Sequence, residues 1–160
     1  MRVEILLALA FNAVMAAVLI LALIRGGRPE RLGVLVNIAG FALTSAMRLL
    51  SSAVVWAPGH GQTLLVDLGV TIGFFWLGIT TTRFWPIWAA GFALGDLFMS
   101  LFGALLPKVS IFAYHTGMGI YAYLALGALA LGTLRLPRDA EPYLRNGSRQ
   151  SWIQHHRTTT

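Results

Sequence analysis

Residues 63–106, TLLVDLGVTIGFFWLGITTTRFWPIWAAGFALGDLFMSLFGALL, decide the fold of the chain. The run is almost unbroken apolar sequence. Thr80-Thr81-Thr82-Arg83, ahead of Phe84-Trp85-Pro86, is its one interruption. About 20 helical residues cross a bilayer core, so the run reads as two spans joined by a tight turn. It places two carboxylates, Asp67 and Asp96, in the hydrocarbon. The rest of the chain then orients these spans and answers those charges.

The composition agrees. The 160 residues are 57% hydrophobic and 11% charged, with a mean hydropathy of +0.72. Soluble domains carry roughly 25% charged residues. An integral membrane protein is the expected class. The chain has no cysteine, which excludes disulfides, thiolate metal sites and cysteine nucleophiles. Its net charge of +6 does not point to nucleic acid, because the basic residues flank apolar segments where membrane topology places them.

Outward from the central run, spans are expected at 3–24, 32–57, 63–81, 85–106 and 111–134. In the first, Glu4 offsets Arg2, and Ala22-Leu23-Ile24 leads straight into Arg25-Gly26-Gly27-Arg28. A basic cluster after the apolar run argues for a retained anchor over a cleaved signal peptide. Pro58-Gly59-His60-Gly61 ends the second span and Pro107-Lys108-Val109-Ser110 the fourth. Residues 135–160 turn polar and basic and read as a mobile tail, with room for a short surface helix.

Orientation follows from charge. Arg25, Arg28, Arg31, Arg83, Arg135, Arg138, Arg145, Arg149 and Arg157 fall on one side, against Arg2 and Lys108 on the other. Such a bias sets the N-terminus outside and the C-terminus inside. Trp56, Trp85 and Trp88 sit at span ends, as an aromatic belt requires.

The intramembrane polar residues are the candidate site. Charged groups in hydrocarbon normally face the bundle and pair. Arg48 and Asp67 lie at similar depth on consecutive spans, so an ion pair between them is expected, as a structural staple or as an outer gate. Asp96 lies near the middle of its span, with Ser100 one turn on. A hydrogen bond from Ser100 or to a backbone carbonyl is one reading of it. A proton-linked or ligand-binding site shared with His115 is the other. Gly69-x-x-x-Gly73 and Gly91-x-x-x-Gly95 are small-residue patterns of the kind that bring helices together, here within the chain. Haem ligation by two histidines would need a second in-span His opposite His115, and none exists. No cofactor and no metal are expected.

Two resemblances attach to these residues. Arg83-Phe84-Trp85-Pro86-Ile87-Trp88-Ala89-Ala90-Gly91-Phe92 resembles a segment of small multipass bacterial membrane proteins of uncharacterised activity, which implies a bacterial inner-membrane location. Tyr114-His115-Thr116-Gly117-Met118 is similar to the His-x-Gly-Met core of the MHYT sensor domain. That resemblance implies a module binding copper or a small gas. The family repeats its motif; this chain has it once.

The expected architecture is an all-α polytopic bundle of five transmembrane helices. Its expected partners are the lipid bilayer and another membrane protein or a second copy of the chain. No nucleophile–base set points to an enzyme. The first functional expectation is a non-enzymatic accessory or assembly subunit. The second is an outward-facing small-molecule or proton-linked transport or sensing module using Arg48, Asp67, Asp96 and His115. The two separate on whether these side chains satisfy each other or line an open cavity.

Overall fold

The computed structural model describes residues 2–50, 61–105 and 111–159. These residues form α1 (Arg2–Arg25), α2 (Arg28–Leu50), α3 (Gly61–Thr80), α4 (Trp85–Leu105), α5 (Ile111–Leu134), α6 (Pro142–Asn146) and α7 (Arg149–Thr159). The first five helices lie within or overlap the five apolar segments; α2 starts four residues ahead of the expected 32, and the expected end of that span, 51–57, lies outside the described residues. Among the described residues the only β feature is an isolated bridge between Thr81 and Ser148. Two helical segments, Ile5–Arg25 and Trp85–Phe102, are long and apolar enough to cross a membrane, and Leu64–Thr80 and Gly119–Leu134 are apolar but shorter.

The five long helices close a ring. Each packs against the next in sequence, and α1 packs back on α5. The α3–α4 and α4–α5 faces are the most extensive, so α4 is held between α3 and α5. Short connections force consecutive helices antiparallel. The end of α1, the start of α2, the end of α3, the start of α4 and the end of α5 therefore meet at one end of the ring.

The core gathers at that end. Ala22, Val34, Phe74, Leu77, Trp85, Ala89 and Leu129 are buried there. Trp85 is its centre, with no exposed surface, and its ring meets Phe74 edge to face at 6.2 Å. A Cβ on Gly33 or on Gly132 would collide with the indole. These two glycines admit the largest side chain of the core. The expectation of a belt tryptophan at Trp85 is corrected here: Trp85 is interior, and Trp88, one turn on, is on the surface.

Away from this core the bundle is apolar on its outside. Leu6 and Leu7 are each 64% exposed, and Leu35, Ile72, Phe75, Trp76, Trp88 and Phe98 also face outward.

The small-residue patterns are half used. Gly73 meets Val36 and Gly95 meets the Tyr121 ring. A Cβ added at Gly69 or Gly91 would meet open space among the described residues. The tail also differs from a mobile extension. Its backbone docks on the α3–α4 turn, where Thr82 N–H donates to Gly147 O at 2.9 Å. Arg83 Nη2 donates to Leu144 O at 2.7 Å. Gly147, at φ 58°, takes the left-handed conformation that ends α6.

Candidate functional site

Two polar centres lie inside the bundle, at different levels. The first sits at the core end and centres on Glu30, which has no exposed surface. Gly27 opens α2: its carbonyl accepts from Arg31 N–H, and its own N–H donates to Glu30 Oε2 at 2.9 Å. A Glu three residues into a helix reaching back to the capping N–H is half of a capping box. The other oxygen turns inward. Trp85 Nε1–H donates to Glu30 Oε1 at 3.1 Å, and Arg83 Nε lies 3.5 Å from the same atom. The carboxylate thus ties the α1–α2 turn, the α3–α4 turn and the first residue of α4 into one unit. The expected spans 3–24 and 32–57 leave Glu30 between them. A Glu close to a Gly-Gly pair and just behind Pro29 is the helix-start signal that finds it.

The second centre is a cleft of about 200 Å³ in the far half of the ring. Asp67 on α3 and Asp96 on α4 both line it. Phe11, Phe41, Phe74 and Tyr121 supply aromatic wall. Tyr121 reaches this position because Gly95, beside Asp96, leaves room for its ring. Thr44, also lining the cleft, donates its hydroxyl to Gly40 O at 2.9 Å, and Asn37 Nδ2 donates to Gly33 O at 2.9 Å. Both side chains thereby satisfy their own helix.

The two carboxylates differ in their partners. Ser100 Oγ donates to Asp67 Oδ2 at 3.0 Å, bridging α4 to α3. The expected Ser100–Asp96 bond is therefore corrected: the hydroxyl goes to the neighbouring helix. Asp96 Oδ1 is buried and has no hydrogen-bond partner among the described residues. Buried polar atoms are nearly always partnered, and an orphan calls for an explanation. The side chains of Arg48 and His115 lie outside the described residues, as does the MHYT-like segment's side-chain set. The Arg48–Asp67 and Asp96–His115 pairings fall there with them. Among the described residues, no three His, Cys, Asp or Glu side chains gather as a metal site.

Chemically, the cleft offers acceptors at its floor and π faces around them. An acidic, aromatic-walled cavity suits a small cation: the carboxylate supplies charge, and ring faces attract cations within about 6 Å. No protein-family model, curated protein or solved structure matches the chain.

Proposed function

We propose that the chain is a five-span protein of the bacterial inner membrane, N-terminus out and C-terminus in, whose cleft binds a small organic cation or a proton as part of a transport or sensing module. The single observation that carries the binding reading is Asp96 Oδ1, buried without a hydrogen-bond partner among the described residues, in a cleft that Asp67 also lines. Residues that only satisfied one another would support an accessory subunit. An open acidic cleft favours a ligand.

Support for the membrane reading comes from the apolar exterior. Soluble monomers rarely expose contiguous apolar patches beyond a few hundred Å², and here large apolar side chains face outward on all five long helices. Support for the orientation comes from the nine Arg side chains assigned to the core end and tail. In the roles proposed, Asp96 is the group that exchanges a proton for the cation. Asp67, held by Ser100, is the fixed charge that orients it. The aromatic residues exclude water around both.

The experiment is flux in proteoliposomes containing a pH-sensitive dye, with an outward proton gradient and tetramethylammonium added outside. Cation-dependent proton movement in wild type, absent in Asp96→Asn, is the expected transport result. Binding without flux assigns sensing. Neither binding nor flux for any small cation returns the chain to the accessory-subunit reading.

A further inference from the structure

A second cleft, of about 410 Å³, opens at the core end between the α1–α2 turn and α6. Its walls are the backbone of Gly26 and Gly27, and three guanidinium-bearing side chains, Arg28, Arg31 and Arg145. Gly27 lies so close to the Arg145 carbonyl that a Cβ there would collide with it, and this contact fixes the two walls against each other. Arg28 Nη1 reaches Asn146 Oδ1 at 3.5 Å, and Arg145 Nη2 donates to Arg138 O at 3.1 Å. Arg31 is exposed, and among the described residues its only hydrogen bond is the backbone one to Gly27, so its guanidinium is unengaged. The nearby carboxylate, Glu30, is turned away into the core on Trp85 and Arg83, so it does not neutralise the cleft. Leu32 and Leu35 continue the lining along α2, with Leu35 60% exposed.

Three cations around a cavity, with an exposed apolar strip leading away along a helix, match one molecule shape. It has an anionic head and an aliphatic tail. We propose that this cleft seats the phosphate headgroup of an anionic phospholipid of the inner leaflet, with its acyl chain lying along Leu32 and Leu35. Guanidinium forks match phosphate oxygens in pairs. Basic pockets on the cytoplasmic side of membrane bundles are places where anionic headgroups bind. The α2 N-terminus contributes its positive dipole end. Because the turn, α6 and the Glu30 unit share this end, a seated lipid would clamp the tail to the bundle.

The proposal rests on the five-span reading, which places this end at the inner leaflet. Labelling of Thr159→Cys, in a sequence with no other cysteine, by a membrane-impermeant maleimide in sealed inverted vesicles tests that reading separately: a thiol labelled only after detergent is added overturns the topology and with it the leaflet. The lipid seat itself is tested on purified protein in dodecyl maltoside, by following the thermal unfolding midpoint during titration with dioleoyl phosphatidylglycerol or dioleoyl phosphatidylcholine. Phosphatidylglycerol is expected to raise the midpoint at a concentration at least tenfold lower than phosphatidylcholine. Arg31→Gln should keep the lipid-free midpoint of wild type and weaken the phosphatidylglycerol response about fivefold, the effect of one surface cation near anionic lipid. Arg31→Lys should retain most of the response, and Arg157→Gln, on α7, all of it. Equal responses to the two lipids, or an Arg31→Gln protein that titrates like wild type, would overturn the seat. If inorganic phosphate at the same concentration reproduces the shift, the site takes a soluble phosphate and the lipid assignment falls.

Discussion

The two ends of the bundle handle buried charge in opposite ways. At the core end, Glu30 has both oxygens engaged, with the Gly27 N–H hydrogen-bonded to one and the Trp85 indole to the other, while Arg83 Nε, itself without a hydrogen bond among the described residues, is held by its charge 3.5 Å from the second oxygen. In the far half, among the described residues, Asp67 has one hydroxyl partner and Asp96 has an oxygen with none. The first centre is packed around the largest core side chain, and the second opens into a cleft. A satisfied charge in a filled space holds a structure together. An unsatisfied one in an unfilled space is a place for something else. On the proposed reading, the core end carries stability and the cleft carries binding.

Substitutions sharpen this division, the largest effect first. Trp85→Ala should cost about 3–5 kcal/mol, the usual range for deleting a core aromatic, and should strand a Glu30 oxygen as well. Its readout is the denaturation midpoint in detergent, and a loss under about 1 kcal/mol would remove Trp85 from the centre of the fold. Glu30→Ala should cost about 3 kcal/mol, since breaking a buried pair from one side leaves the indole N–H, the Gly27 N–H and Arg83 without their acceptor. Release of the tail to limited proteolysis should accompany it. Ser100→Ala should cost about 1 kcal/mol, one hydrogen bond to a carboxylate. Asp96→Asn should change stability by less than about 0.5 kcal/mol, because no partner is lost. If Asp96→Asn proves as damaging as Glu30→Ala, the contrast between the ends collapses.

The helices were legible in the sequence because hydrophobic length and Pro/Gly breaks depend only on local composition. Their lateral contacts were legible in part. Asp67 read as the partner of Arg48, across the α2–α3 connection. The tighter constraint is the hairpin of α3 and α4. A turn centred between 82 and 83 sets residue 67 level with residue 98, and so between Asp96 and Ser100. That arithmetic was available in the sequence and places Ser100 within reach of Asp67. Which hydroxyl rotamer wins depends on helix rotation, which an almost uniformly apolar α4 does not encode. The glycine patterns carry the same ambiguity. Spacing says that two glycines share a face, but only packing says whether another helix lies on it. At the other end, Arg83 and the tail read as topology signals alone. Their contacts with Glu30 and Leu144 join residues 53 and 61 positions apart. No local pattern reports such pairs.

The most direct test of the cleft is equilibrium binding of tetramethylammonium to purified wild type and Asp96→Asn in detergent, measured by calorimetry at several pH values between 5 and 8. Saturable binding to wild type, changing with pH and lost in Asp96→Asn while the fold persists, is the predicted result. Identical titrations for the two proteins, or no binding at any pH, would contradict the assignment of the cleft as the functional site.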